Sequence, residues 1–219
     1  MLNRFGEHYR ALVTGTGAEP IAVFGRRIAV WDASPTHALA LRVATSSLSA
    51  EEQQEIFGCI ESYLVRRAIC GLSRKNYNKV FAQQLKRLID GQLTTEAFRT
   101  ALTSLSGDAS RWPSDDEFRR QWIGGAAYPG RLDAAKLRAI FHRLETAMRS
   151  EKTEESVQLN LDSLDIDHIM PKSWYSHWPL ADGTSATSFD AVNAEPMRYS
   201  GTQIAPRTQA ILDREDAIP

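Results

Sequence analysis

Asp165, Asp167 and His168 are the residues whose types and spacing suit chemistry, within the string Leu164-Asp165-Ile166-Asp167-His168-Ile169-Met170-Pro171-Lys172-Ser173-Trp174. Two residues apart on an extended strand, Asp165 and Asp167 point to the same face. His168 points to the other face unless the strand ends there, and Pro171 favours such an end. Carboxylate oxygens are hard donors that suit Mg²⁺ or Mn²⁺. A neutral imidazole beside them takes a proton from water near neutral pH. A divalent cation that stabilises phosphate charge, next to a histidine that activates water, is a minimal phosphodiesterase. An Asp-His pair alone is more often structural than catalytic.

The string Asp167-His168-Ile169-Met170-Pro171 resembles the opening strand of HNH (ββα-metal) endonucleases, in which an (Asp/Glu)-His-Ile-x-Pro element begins the site. The nuclease domain of RNA-guided CRISPR enzymes has the same Asp-x-Asp-His-Ile-x-Pro layout. Ahead of it, the helical text from Glu61 to Leu72 and from Lys75 to Phe81 is similar to GmrSD-type restriction proteins. Trp112-Pro-Ser-Asp-Asp-Glu-Phe118, Tyr128 and the stretch from Arg138 to Glu145 fit the same layout, so the resemblance covers roughly residues 45 to 175. It implies that His168 is the general base, that Asp167 ligates one divalent cation, and that Asp165 either ligates the same cation or supports its ligand. It also implies that Arg66, Arg67, Arg74 and Lys75, with Lys172 beside the motif, touch DNA. The four helical residues equally suit a neighbouring domain. A competing reading has one of the Arg66–Arg67 pair anchor its helix to a buried carboxylate such as Glu145.

The second half of that site is not found. No Gly-Asn-Leu-Thr-like string occurs, and the context of Asn193, Ala-Val-Asn-Ala-Glu-Pro, differs from the family's. His177, between Trp174 and Trp178, reads as a packing or substrate-side residue. Asp90-Gly-Gln-Leu93 shares only letters with the family's nucleotide-binding motif. The expectation is therefore a C-terminal portion of a GmrSD-like DNA endonuclease, used in modification-dependent restriction or phage defence. Its partners would be DNA and a nucleotide-binding domain or subunit, in the cytoplasm and without a membrane. This chain by itself is expected to cleave DNA poorly or not at all.

The elements that position these residues read as mainly α. A short helix is expected over Asn3–Val13. Ser49 caps the next, which places Ile56, Ile60, Tyr63 and Leu64 on one face and ends near Cys70-Gly71. A helix from Asn76 to Asp90 repeats the period with Tyr77, Phe81, Leu85 and Leu88. Thr94 opens another, with Phe98, Leu102 and Leu105 inward. Ser114, followed by Asp115, Asp116 and Glu117, is a strong helix start. Phe118, Trp122 and Ile123 form the apolar side of the helix that begins there. The clearest periodic run, Leu132 to Arg149, aligns Leu137, Ile140, Phe141, Leu144 and Met148 as core. After Glu151–Ser156, short extended pieces are expected at Val157–Leu159 and Leu164–Ile169, then helices near Ala186–Asn193 and Gln203–Asp213. The organisation is thus a multi-helix connector or binding domain over 1–150, and a small, incomplete ββα-metal unit over 151–219.

The chain has 219 residues, 42% of them hydrophobic, and a net charge of −1. That composition argues against wholesale disorder. No run approaches a membrane span, and the N-terminal text lacks a signal-peptide layout. Cys59 and Cys70 are too few for a disulfide scaffold and read as buried free thiols. Charge is informative only by segment. Ser62 to Ile89 carries seven basic residues (Arg66, Arg67, Arg74, Lys75, Lys79, Lys86, Arg87) and no acidic one, whereas 151–219 carries five basic and twelve acidic. A +7 helical stretch suits phosphate contact, and a solvated helix face is the bland alternative. Two other functions stay open: a non-catalytic helical DNA-binding or domain-docking module, and a structural metal site built from Asp165, Asp167, His168 and His177.

Overall fold

A computed structural model describes residues 2–90, 94–125, 130–148 and Ile166. The backbone divides into two units, Met1–Asp165 and Ile166–Pro219. All the described helices belong to the first unit: α1 (Leu2–Thr14), α2 (Pro20–Ile28), α3 (His37–Ala44), α4 (Ala50–Ile69), α5 (Tyr77–Ile89), α6 (Thr95–Thr103), α7 (Asp115–Gly124) and α8 (Ala134–Met148). Two single 3-10 turns, Ala29–Trp31 and Ser34–Thr36, join α2 to α3. No strand occurs among the described residues, and no helix among them is long and apolar enough to cross a membrane. The expected mainly helical architecture is observed. The expected ββα unit, its extended pieces and the two helices beyond Ala186 lie outside the described residues.

The central element is α4, against which α2, α3, α6 and α7 pack. Its start is a capping box: the Ser49 hydroxyl accepts from the Glu52 N–H at 3.2 Å, and the Glu52 carboxylate accepts from the Ser49 N–H at 2.8 Å. Its end is a Schellman turn. The Leu72 N–H reaches back to the Arg67 carbonyl (2.8 Å) and the Gly71 N–H to the Ala68 carbonyl (3.1 Å). Gly71 sits at φ +67°, where a side chain is strained. Between these ends α4 buries Ile56, Phe57, Ile60, Tyr63, Leu64 and Ile69. Thr94 and Ser114 cap α6 and α7 as expected, accepting from the N–H groups of Ala97 and Glu117.

Two helices occur where the sequence pattern predicted none. Proline at the first helical position starts α2, and Arg26 and Arg27 close it. It contributes Ile21, Phe24 and Ile28 to the core, and the Phe24 ring stacks on Phe57 of α4 at 4.5 Å. The short α3 adds Leu39, Ala40 and Val43. Where α1 crosses α2, Gly25 lets the backbones meet: a Cβ there would stand 2.0 Å from the Leu12 carbonyl oxygen.

The apolar sides of α7 and α8 differ from expectation. Ile123, Phe141 and Met148 are exposed, α7 has no buried residue, and α8 buries only Leu137. Periodicity identified an apolar face correctly but could not say what covers it. Leu85 and Leu105 are half-buried, as are Cys59 and Cys70. Burial pushes both thiols above the ordinary cysteine range.

Candidate functional site

Asp165, Asp167, His168 and Lys172 lie outside the described residues. Ile166, between the two aspartates, is half-buried. Among the described residues, no group of three His, Cys, Asp or Glu side chains is arranged to hold a metal ion. The basic residues near the end of α4 can be placed, and they separate into different roles.

Arg67 is withdrawn from DNA contact. Its side chain is fully buried, and both terminal nitrogens of its guanidinium donate to main-chain carbonyls, while Nε is buried without a hydrogen-bond partner among the described residues. One terminal nitrogen donates to Arg111 at 2.8 Å. The other donates to Ser73 at 2.5 Å, Ala109 at 3.1 Å and Asp108 at 3.2 Å. The Schellman turn brings the Ser73 carbonyl into reach, while the turn around Gly107 supplies the other three. The rings of Tyr63 and Tyr77 lie 5.4 and 5.8 Å from the guanidinium carbon. A planar fork of donors suits this ring of acceptors, and aromatic faces compensate part of the charge. Arg67 anchors its helix to main-chain carbonyls, whereas the anticipated partner was a buried carboxylate such as Glu145. Tyr63 donates its hydroxyl to the Ser110 carbonyl at 2.7 Å, and desolvation pushes its pKa up to about 12.

Arg66 is mostly buried and engaged. It pairs with Asp115 at 2.5 Å, donates to the Pro113 carbonyl at 3.3 Å, and lies 5.4 Å and 5.1 Å from the rings of Trp112 and Phe118. It thereby ties α4 to the start of α7. Arg74 is exposed and pairs with Asp32 at 2.6 Å, beside an open cleft of about 430 Å³ lined by Asp32, Ser73, Lys75 and Tyr77. Lys75 is exposed.

Other arginines hold the same region. Arg111 forks onto Glu117 at 2.5 and 2.8 Å. That pairing keeps the guanidinium more firmly protonated and lowers the Glu117 carboxyl below the usual range. Arg131 donates to the Ile69 carbonyl at 2.9 Å and to the Gln121 side chain. Among the described residues the buried carboxylate is Glu61, paired with Arg27 of α2 at 3.7 Å and Arg143 of α8 at 3.3 Å. Glu145, the carboxylate anticipated as an anchor, is half-buried. Sequence reasoning missed the Glu61 junction, because its two partners are distant in the chain and nothing local marks them.

These observations define a helical unit whose last elements, from Trp112 onward, are fastened to α4 by arginines. Residues 112–196 match the family described as GmrSD restriction endonucleases, C-terminal domain. Over that stretch, which takes in α7, α8 and the Asp165–Pro171 string, the chain is similar to the C-terminal region of GmrSD-type restriction endonucleases. The anticipated resemblance over 45–111 lies outside the match, and the match continues past the anticipated limit to 196. No match was found among curated proteins or among solved structures.

Proposed function

We propose that this chain is the C-terminal portion of a GmrSD-like HNH endonuclease that hydrolyses DNA phosphodiesters in restriction or phage defence. The observation that carries the reading is the family match over 112–196, which spans Asp165, Asp167, His168 and Pro171 together. Two carboxylates and an imidazole form a donor set that fits Mg²⁺ or Mn²⁺. When bound, such a cation neutralises developing charge on the phosphate and leaving oxygen. Asp167 holds it, and Asp165 supports Asp167 or contributes an oxygen. His168 accepts the proton of the attacking water at a ring nitrogen.

The test is nicking of supercoiled plasmid by the chain in molar excess. Slow nicking that requires Mg²⁺ or Mn²⁺ and disappears in His168→Ala is expected. Nicking that survives His168→Ala or EDTA overturns the assignment. Inactivity together with no stabilisation by Mg²⁺ or Mn²⁺ in thermal unfolding would favour the second reading, a non-catalytic helical module that binds DNA or docks a nucleotide-binding domain. The exposed basic side of the helical unit supports that alternative.

A further inference from the structure

We propose that the outer ridge of α5, formed by Lys79 and Lys86 with Arg87 at its flank and Lys75 just ahead of the first turn, is the surface on which the protein seats the phosphate backbone of duplex DNA. The proposal rests on the nuclease reading for its choice of polyanion and on α5 for its geometry. At about 100° per residue, Lys79 and Lys86 fall within about 20° of one line, with Gln83 and Ala82 between them. Tyr77, Val80, Phe81, Gln84 and Leu88 occupy the opposite side and are buried, whereas Lys75, Lys79, Ala82, Gln83, Lys86 and Arg87 are all exposed. The fold therefore sorts the basic stretch of the sequence. Arg66 and Arg67 are consumed inside the unit and Arg74 pairs with Asp32. The four remaining cations have no ion-pair partner among the described residues.

A solvated helix face usually interleaves acids with bases at i,i+4 spacing. The first half of α4 carries Glu51, Glu52 and Glu55, but α5 has no acid from its first residue to its last. Asp90, just past its end, is the first. Lys86 and Arg87 sit in the last turn, where the helix dipole favours cations. That dipole gives no support to Lys75 and Lys79, which stand at the opposite end. Cations there are disfavoured by the positive helix terminus, and an anionic partner relieves that repulsion. Lys79 and Lys86 are about 10 Å apart along the axis, a span over which one DNA strand presents about three phosphates. Ala82 leaves the middle of the ridge low, and Gln83 can donate its amide there.

The test is fluorescence anisotropy with a labelled duplex, in a His168→Ala background so that binding is read without cleavage, from about 50 to about 200 mM salt. The triple substitution Lys75→Ala, Lys79→Ala and Lys86→Ala is expected to weaken binding at least tenfold and to reduce the salt slope by about 3. Arg10→Ala on α1 should leave both unchanged, and a Lys→Arg triple should restore them. Affinity and slope unaltered by the alanine triple would overturn the proposal. So would no duplex binding at all, or binding confined to single-stranded RNA or anionic vesicles. Ridge-dependent binding by a protein that neither nicks DNA nor is stabilised by Mg²⁺ or Mn²⁺ would keep the ridge and end the nuclease reading. His168-dependent nicking with ridge-independent binding would do the reverse.

Discussion

The Arg67 guanidinium donates to the carbonyl of Arg111 at 2.8 Å, bridging the last turn of α4 and the loop ahead of α7. Arg111 in turn forks onto Glu117 inside α7. Two arginines in series thus run from the core to the stretch that carries the family match. Arg66 and Asp115 make a second tie alongside. Electrostatic contacts, more than apolar burial, fix α7 in place, since α7 buries none of its own side chains.

Arg67 should be among the most sensitive positions in the helical unit. Arg67→Met keeps much of the side-chain volume but leaves the carbonyls of Ser73, Asp108, Ala109 and Arg111 without their shared donor. Such a loss is expected to cost about 3–5 kcal/mol. Arg67→Lys should recover only part, because an ammonium cannot span the same ring of acceptors. Urea unfolding followed by circular dichroism reads both variants, and a wild-type midpoint for the methionine variant would contradict the buried-anchor account.

Alkaline pH should loosen the same cluster. A free tyrosine loses its proton near pH 10, whereas Tyr63 holds its proton to about 12 because ionising it inside the core is unfavourable. Burial shifts Tyr77 the same way. The folded state therefore binds the proton more tightly than the unfolded chain. Stability is intact below pH 10 and declines as pH rises from 10 toward 12. Phenolate absorbance during alkaline titration should show these rings ionising last, together with unfolding. In Tyr63→Phe the ionisation attributable to Tyr63 should vanish and the alkaline loss should shrink.

Gly25→Ala tests the crossing of α1 and α2. Its methyl group would stand 2.0 Å from a main-chain oxygen, which cannot rotate aside. The helices must separate, at a cost of about 2–3 kcal/mol. Thermal unfolding would measure it, and a neutral outcome would mean that α1 is free to shift.

The contrast between α4 and its neighbours shows what was legible in the sequence. Ser49, Glu52 and Gly71 announce the ends of α4 because capping is local chemistry, and Ile56, Ile60, Tyr63 and Leu64 announce its buried face by period. Pro20 and the Arg26–Arg27 pair were equally local marks of α2, but the region between them is short and its apolar residues do not form a long run. Charge proved harder to read. Counting placed Arg67 and Lys79 in one basic stretch, yet one is enclosed by carbonyls and the other faces solvent. That difference depends on which loops fold back onto α4, a long-range property. Likewise, the apolar side of α8 was plain, but its exposure was not.

The Glu61 junction yields the last prediction. This carboxylate joins α4 to Arg27 of α2 and Arg143 of α8, while α8 buries only Leu137. Burial, and then the nearby Arg143, lower the Arg27 pKa, and Glu61 opposes that shift. Glu61→Ala removes the opposing charge and leaves two guanidinium groups facing each other. Because both arginines are partly solvated, the global cost should be modest, about 1–2 kcal/mol. The local effect should be larger, since α8 buries only Leu137 of its own side chains. Hydrogen exchange should therefore show α8 losing protection well before α4 or α5 does. Arg143→Ala, which relieves the repulsion while also losing the tie, should deprotect α8 with less effect on α2. Uniform loss of protection across all helices in Glu61→Ala would show that the junction supports the whole core and is not a local clasp for α8.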